Sequence, residues 1–138
     1  MEPLIQQVLD KYPSEAKLVI KHFPLRSHRF ARQAAAAALA ANEQGKFWEF
    51  HEELLKNYRA INEDKIQEIA KELKLELQKF NEDRNSPVIN ELINRDLRDG
   101  RRLRIRGIPT VLINGKILMK HSRRDLEEAI AAALSKTK

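Results

Sequence analysis

Asn114-Gly115, set between Thr110–Ile113 and Lys116–Met119, constrains this chain more than any other feature. A two-residue hairpin loop of the favoured type needs positive φ at its central positions, which asparagine and glycine tolerate, and its twist matches that of the flanking strands. The pattern predicts an antiparallel hairpin near the C-terminus. Immediately before it stands Gly107-Ile108-Pro109-Thr110. An X–Pro bond is only about 0.5–1 kcal/mol less favourable in cis than in trans, so Pro109 reads either as a cis-proline of a tight turn or as an ordinary proline leading into a strand.

The rest of the chain is mostly helical in pattern. Leu4, Ile5, Val8, Leu9 and Tyr12 recur at helical spacing until Pro13-Ser14, which predicts a first helix of about three turns. Lys17–His22 is short, rich in branched residues and closed by Phe23-Pro24, and reads as a buried strand. From about Ser27 to Asn42 an alanine-rich helix places Ala31, Ala34, Ala35, Ala38 and Ala41 where a neighbour can approach closely. Phe47, Phe50, Leu54 and Leu55 form the stripe of a helix over Lys46–Asn57. Asn62 is placed to cap a helix through Leu73, with Ile66, Ile69, Ala70 and Leu73 inward.

A short helical turn over Leu77–Asn81 leads to Ser86-Pro87, a good N-cap followed by proline at the first helical position. Val88, Leu92, Ile93 and Leu97 supply the apolar face of that helix, which ends at Gly100 or continues to Leu103. Ser122 with Asp125 resembles a capping box and opens a last helix bearing Leu126, Ala129, Ile130, Ala133 and Leu134. With no internal repeat and no linker, residues 1–138 are expected to form one domain.

Composition excludes several classes. An apolar fraction of 42% and a charged fraction of 33% describe a globular chain. No apolar run approaches the roughly 20 residues that span a bilayer. The start, Met1-Glu2-Pro3-Leu4-Ile5, has no basic flank, apolar h-region or small-residue cleavage site, so as written the chain is expected to stay in the cytosol. The absence of cysteine matters most. Disulfide exchange requires a thiolate attacking a disulfide sulfur, and this sequence supplies neither.

That absence conflicts with what the chain resembles. Gly107-Ile108-Pro109-Thr110 with its hairpin, Lys17–Leu25, the alanine-rich helix, and Gln44-Gly45-Lys46-Phe47-Trp48-Glu49-Phe50-His51 together are similar to the DsbA-like branch of the thioredoxin superfamily. The resemblance covers nearly the whole chain. It implies an α/β, thioredoxin-like fold with a helical insertion over about 27–103, lacking the first central strand and the Cys-x-x-Cys that follows it. It also implies a lineage of extracytoplasmic protein disulfide oxidoreductases, represented here by a redox-inert chain that reads as N-terminally truncated. The alternative is a non-catalytic, chaperone-like module that binds peptides.

In the family, the cis-proline loop pairs with an extended substrate, which assigns Gly107, Ile108, Pro109 and Thr110 to substrate binding and extended or unfolded polypeptide as the partner. No catalytic residue is assigned. The lost strand would have lain between Lys17–His22 and Thr110–Ile113, so direct closure of the gap, or a homodimer formed through the exposed sheet edges, is expected.

Other sites find plainer explanations. His22, His28, His51 and His121 show no recognised metal-ligand spacing, and His51-Glu52 is not followed by the second histidine of a zinc protease. No phosphate-loop or nucleophile-elbow motif is present, so neither metal nor cofactor is expected. The net charge of +6 and the cluster Arg95, Arg98, Arg101, Arg102, Arg104 and Arg106, with Arg123 and Arg124, suggest an anionic partner. Asp96 and Asp99 make a solvated helix face the plainer reading, and few aromatics argue against a nucleic-acid stacking platform.

Overall fold

The computed structural model describes residues 2–136. They fall into two compact units, one formed by the segment up to Ile20 together with the segment from Ile105 onward, the other by Lys21–Arg104.

The first unit contains helix α1 (Glu2–Leu9), strands β1 (Val111–Ile113) and β2 (Lys116–Leu118), and helix α7 (Arg123–Lys136). The hairpin forms where the sequence places it: Val111 pairs with Leu118 and Ile113 with Lys116. Asn114 and Gly115 turn it at φ +48° and +83°. The capping box at α7 is reciprocal, Asp125 N–H donating to Ser122 Oγ at 3.1 Å and Ser122 N–H to Asp125 Oδ2 at 3.0 Å. Val8 and Leu126 are the buried apolar residues of this unit, and α1 lies against α7, where Lys11 pairs with Glu127 at 2.7 Å. Helix α1 is shorter than expected, at 8 residues or about two turns, because Tyr12 closes back onto Leu9 in a turn instead of continuing the helix.

Lys17–His22 is not a strand. Among the described residues the sheet consists of β1 and β2 alone, so no ladder joins Lys17–His22 to β1 and the gap is not closed by direct pairing. The alternation a strand requires is nonetheless present, with Leu18 and Ile20 half-buried and Val19 exposed. What is missing is a neighbouring backbone, and strand structure depends on inter-strand bonds more than on side-chain pattern.

The second unit is helical: α2 (Ala31–Asn42), α3 (Phe47–Lys56), a 3-10 turn at Tyr58–Ala60, α4 (Glu63–Glu72), α5 (Leu77–Arg84) and α6 (Pro87–Arg102). Alanines 37, 40 and 41 of α2 are fully covered, which lets α3 and α5 pack close to its backbone. Phe50, Ile66, Ile69, Phe80, Ile89 and Ile93 fill the space around them. Asn62 caps α4 by accepting from Lys65 N–H at 2.8 Å, and Ser86 caps α6 by accepting from Ile89 N–H at 3.3 Å.

Three details differ from the sequence reading, and one alternative that it left open, the end of α6, is decided. Helix α2 starts at Ala31, because Leu25–Phe30 form successive turns. Helix α5 extends to Arg84, its start fixed by the Glu76 carboxylate, which accepts from the N–H groups of Gln78 and Lys79. Val88 is exposed while its neighbour Ile89 takes the core position. Gly100 lies inside α6, where an added Cβ would come within 2.6 Å of the Phe23 ring.

Candidate functional site

The sequence-designated loop lies in the first unit, directly before β1. The Ile108–Pro109 peptide bond is cis. Thr110 Oγ1 donates to the Gly107 carbonyl at 2.7 Å, tying the ends of the four-residue loop together. Within that closed loop Ile108 is 51% exposed and Pro109 is also exposed, while Gly107 and Thr110 are half-buried. An aliphatic side chain held outward on a short tied loop makes an apolar contact point beside a strand. Among the described residues β1 pairs with β2 alone, so its other edge keeps backbone groups of the kind that accept an added strand.

A second constellation, in the helical unit, was not singled out from the sequence. Phe47 stacks on His51 with ring centroids 5.7 Å apart and meets the edge of His22 at 6.1 Å. Trp48, 45% exposed, packs edge-on against both Phe47 and His51. Asp96 of α6 is buried, accepts from the His22 backbone N–H at 2.9 Å and lies 3.6 Å from Lys21 Nζ. The signal available in sequence was the i, i+4 pair Phe47 and His51, but nothing local points from Asp96 to residues 74 positions earlier.

Burial pulls the His22 pKa below its ordinary 6.5, with Asp96 opposing that shift and His51 adding to it. The unfolded chain therefore takes up a proton that the folded chain refuses, and stability present above about pH 6.5 is lost as the pH falls. Thermal melts between about pH 7.5 and 5 should show this decline, and His22→Gln should flatten it. An equally steep decline in the variant would remove His22 as the source.

The remaining histidines have ordinary roles or settings. His121 bonds the Leu118 carbonyl through Nε2 at 2.8 Å, and His28 is exposed. No group of three metal-ligating side chains comes together among the described residues. Nor is any described helix long and apolar enough to cross a membrane.

Comparison with known proteins bears directly on this loop and fold. The family model of the DSBA-like thioredoxin domain matches residues 1–131. The chain belongs to the DSBA-like thioredoxin family. A thioredoxin-like oxidoreductase from Silicibacter pomeroyi DSS-3 superposes with a TM-score of 0.84 over 97% of this chain and 77% of that one, at 24% identity. The thioredoxin-like fold is thus present with its helical insertion, and among the described residues its sheet is the β1–β2 hairpin.

Sequence relatives include a probable disulfide bond formation protein D of Bacillus cereus, 30% identical over 61% of this chain and 42% of that protein. They also include proteins named Na(+)/H(+) antiporter NhaA 3 from Salinispora tropica, 33% identical, and NhaA 1 from Salinispora arenicola, 32% identical. Each match to those two covers 97% of this chain, which spans about a fifth of the length of these curated relatives.

Proposed function

We propose that this DSBA-like chain supplies the polypeptide-binding part of a thioredoxin domain and performs no thiol–disulfide exchange itself. The outward-facing Ile108 on the Gly107–Thr110 loop carries the reading: it offers an apolar contact, while the edge of β1 that pairs with no strand among the described residues offers backbone hydrogen bonds. An extended chain laid there gains both, the bonds giving affinity and alternate side chains giving selectivity. The absence of cysteine supports the redox-inert half of the proposal. The bound class is extended or unfolded polypeptide, as suits a domain related to disulfide-bond formation proteins.

Fluorescence anisotropy with a labelled, permanently unfolded polypeptide tests this. Ile108→Glu should weaken binding at least about tenfold, a loss of roughly 1.4 kcal/mol, by placing a charge against the incoming backbone. Met119→Glu, at an 85% exposed position past the hairpin, should change it less than about twofold. Equal effects of the two substitutions would refute the loop as the site. The redox half is tested separately by the intact mass of the protein from its source cells before and after thiol alkylation. A mass matching these 138 residues without adducts supports binding alone, whereas two alkylated thiols would overturn the redox-inert assignment.

A further inference from the structure

The helical unit contains a basic pocket of about 550 Å³, within the size range of small-molecule sites. Arg26, His28, Arg29 and Arg32 line one side and Arg98 and Arg101 the other, with no carboxylate in the lining. Among the described residues Arg98 is the pocket arginine that pairs with a carboxylate, bonding Glu91 at 2.6 Å. Arg32 is held without being neutralised: its Nη2 donates to Asn94 Oδ1 at 2.8 Å, and Asn90 Oδ1 accepts from the same nitrogen. Those asparagines lie on α6, one turn apart, so the packing of α2 on α6 fixes the guanidinium while leaving its charge intact. Helix α2 adds the positive end of its dipole at the Arg29–Arg32 side, with no acidic residue in its first turn to offset it.

Five arginines line this one concavity, and the positive charge gathered there, offset at Arg98 alone by an exposed ion pair among the described residues, favours an anion among them. A guanidinium presents a planar fork of donors matched to phosphate oxygens, and two or more such forks select a ligand with several phosphate groups over a single small anion. Pro24, Leu25 and Leu97 supply the apolar part of the wall, and no Phe, Tyr or Trp lines it as a platform for a base. We propose that this pocket binds a small, soluble, polyphosphorylated anion. The site lies wholly within Lys21–Arg104 and shares no residue with the Gly107–Thr110 loop.

Calorimetric titration of the full chain with inorganic tripolyphosphate, at low and at physiological ionic strength, tests the proposal. Saturable one-to-one binding is expected, at least about tenfold tighter than that of inorganic monophosphate and weakening with salt. Arg32→Gln and Arg101→Gln should each reduce affinity about tenfold, whereas Arg124→Gln on α7, already paired with Glu128, should change it less than about twofold. Among the described residues the Arg101 side chain makes no hydrogen bond or ion pair, so its variant remains informative if Arg32→Gln unfolds. No saturable heat, or equal losses from all three substitutions, would overturn the site. Capture by anionic phospholipid vesicles that depends on Arg32 and Arg101, without tripolyphosphate binding, would overturn it in favour of a membrane surface.

Discussion

Phe80→Ala is expected to cost the helical unit about 3–5 kcal/mol, a large share of the 5–15 kcal/mol that holds an ordinary domain together. Phe80 is fully buried, and its ring lies 5.6 Å from that of Phe50. The residues around it explain why the loss should reach the upper part of that range. Helix α2 presents alanines 37, 38, 40 and 41 to this core, and an alanine has no side-chain torsion with which to swing into a void. Arg84 also lies over the ring, its guanidinium carbon 5.7 Å from the ring centre, and bonds Glu63 at 2.6 Å. Losing the ring removes that support too. Urea denaturation followed by far-UV circular dichroism gives the free energy, and a loss below about 1 kcal/mol would show that the core closes over the cavity.

Features fixed by a few neighbouring residues were legible in the sequence. Asn62, Ser86 and Ser122 cap the helices expected of them, and Asn114-Gly115 makes its hairpin, because each interaction spans two or three positions. The Glu76 cap was missed because glutamate is seldom an N-cap, its longer side chain having to fold back to reach the helix N–H groups. The apolar face of α6 was displaced by one residue at its start, Ile89 being core and Val88 exposed, since adjacent branched residues leave the phase of a helix open for its first turn. Lys17–His22 kept the pattern of a strand without becoming one, because pairing depends on another segment of chain.

The two proposed sites divide along the same line. The Gly107–Thr110 loop is contiguous, and its residues could be named before any coordinates were known. The basic pocket joins Arg26, Arg29 and Arg32 to Arg98 and Arg101, which are more than sixty positions away. Along the sequence, Arg98 and Arg101 belonged to a helix face balanced by aspartates. The fold turns them towards a second arginine group, while Asp96 and Asp99 face Lys21 instead. Spacing along one helix does not reveal that separation of charge.

Asp96→Ala is expected to destabilise the helical unit by about 2–3 kcal/mol, since it strands a partly buried backbone donor and removes a charge-assisted hydrogen bond. Asp96 and Gly100 lie one turn apart on α6 and act on consecutive residues: the carboxylate holds the His22 N–H, while the absence of a Cβ at Gly100 admits the Phe23 ring. Together they fix the course of residues 21–23. Lys21 adds little, because its side chain is 57% exposed and water screens the pair. Asp96→Asn, which keeps an oxygen facing the same donor, should therefore lose only about 1 kcal/mol. Both variants should also differ from the parent in acid. Asp96 raises the His22 pKa against the lowering by burial, so its removal lets that pKa fall further and makes the loss of stability below about pH 6.5 larger. Melts of the parent and both variants at neutral and mildly acidic pH measure both effects. If Asp96→Ala were no less stable than Asp96→Asn at either pH, the His22 hydrogen bond would not be what the buried carboxylate is there to make.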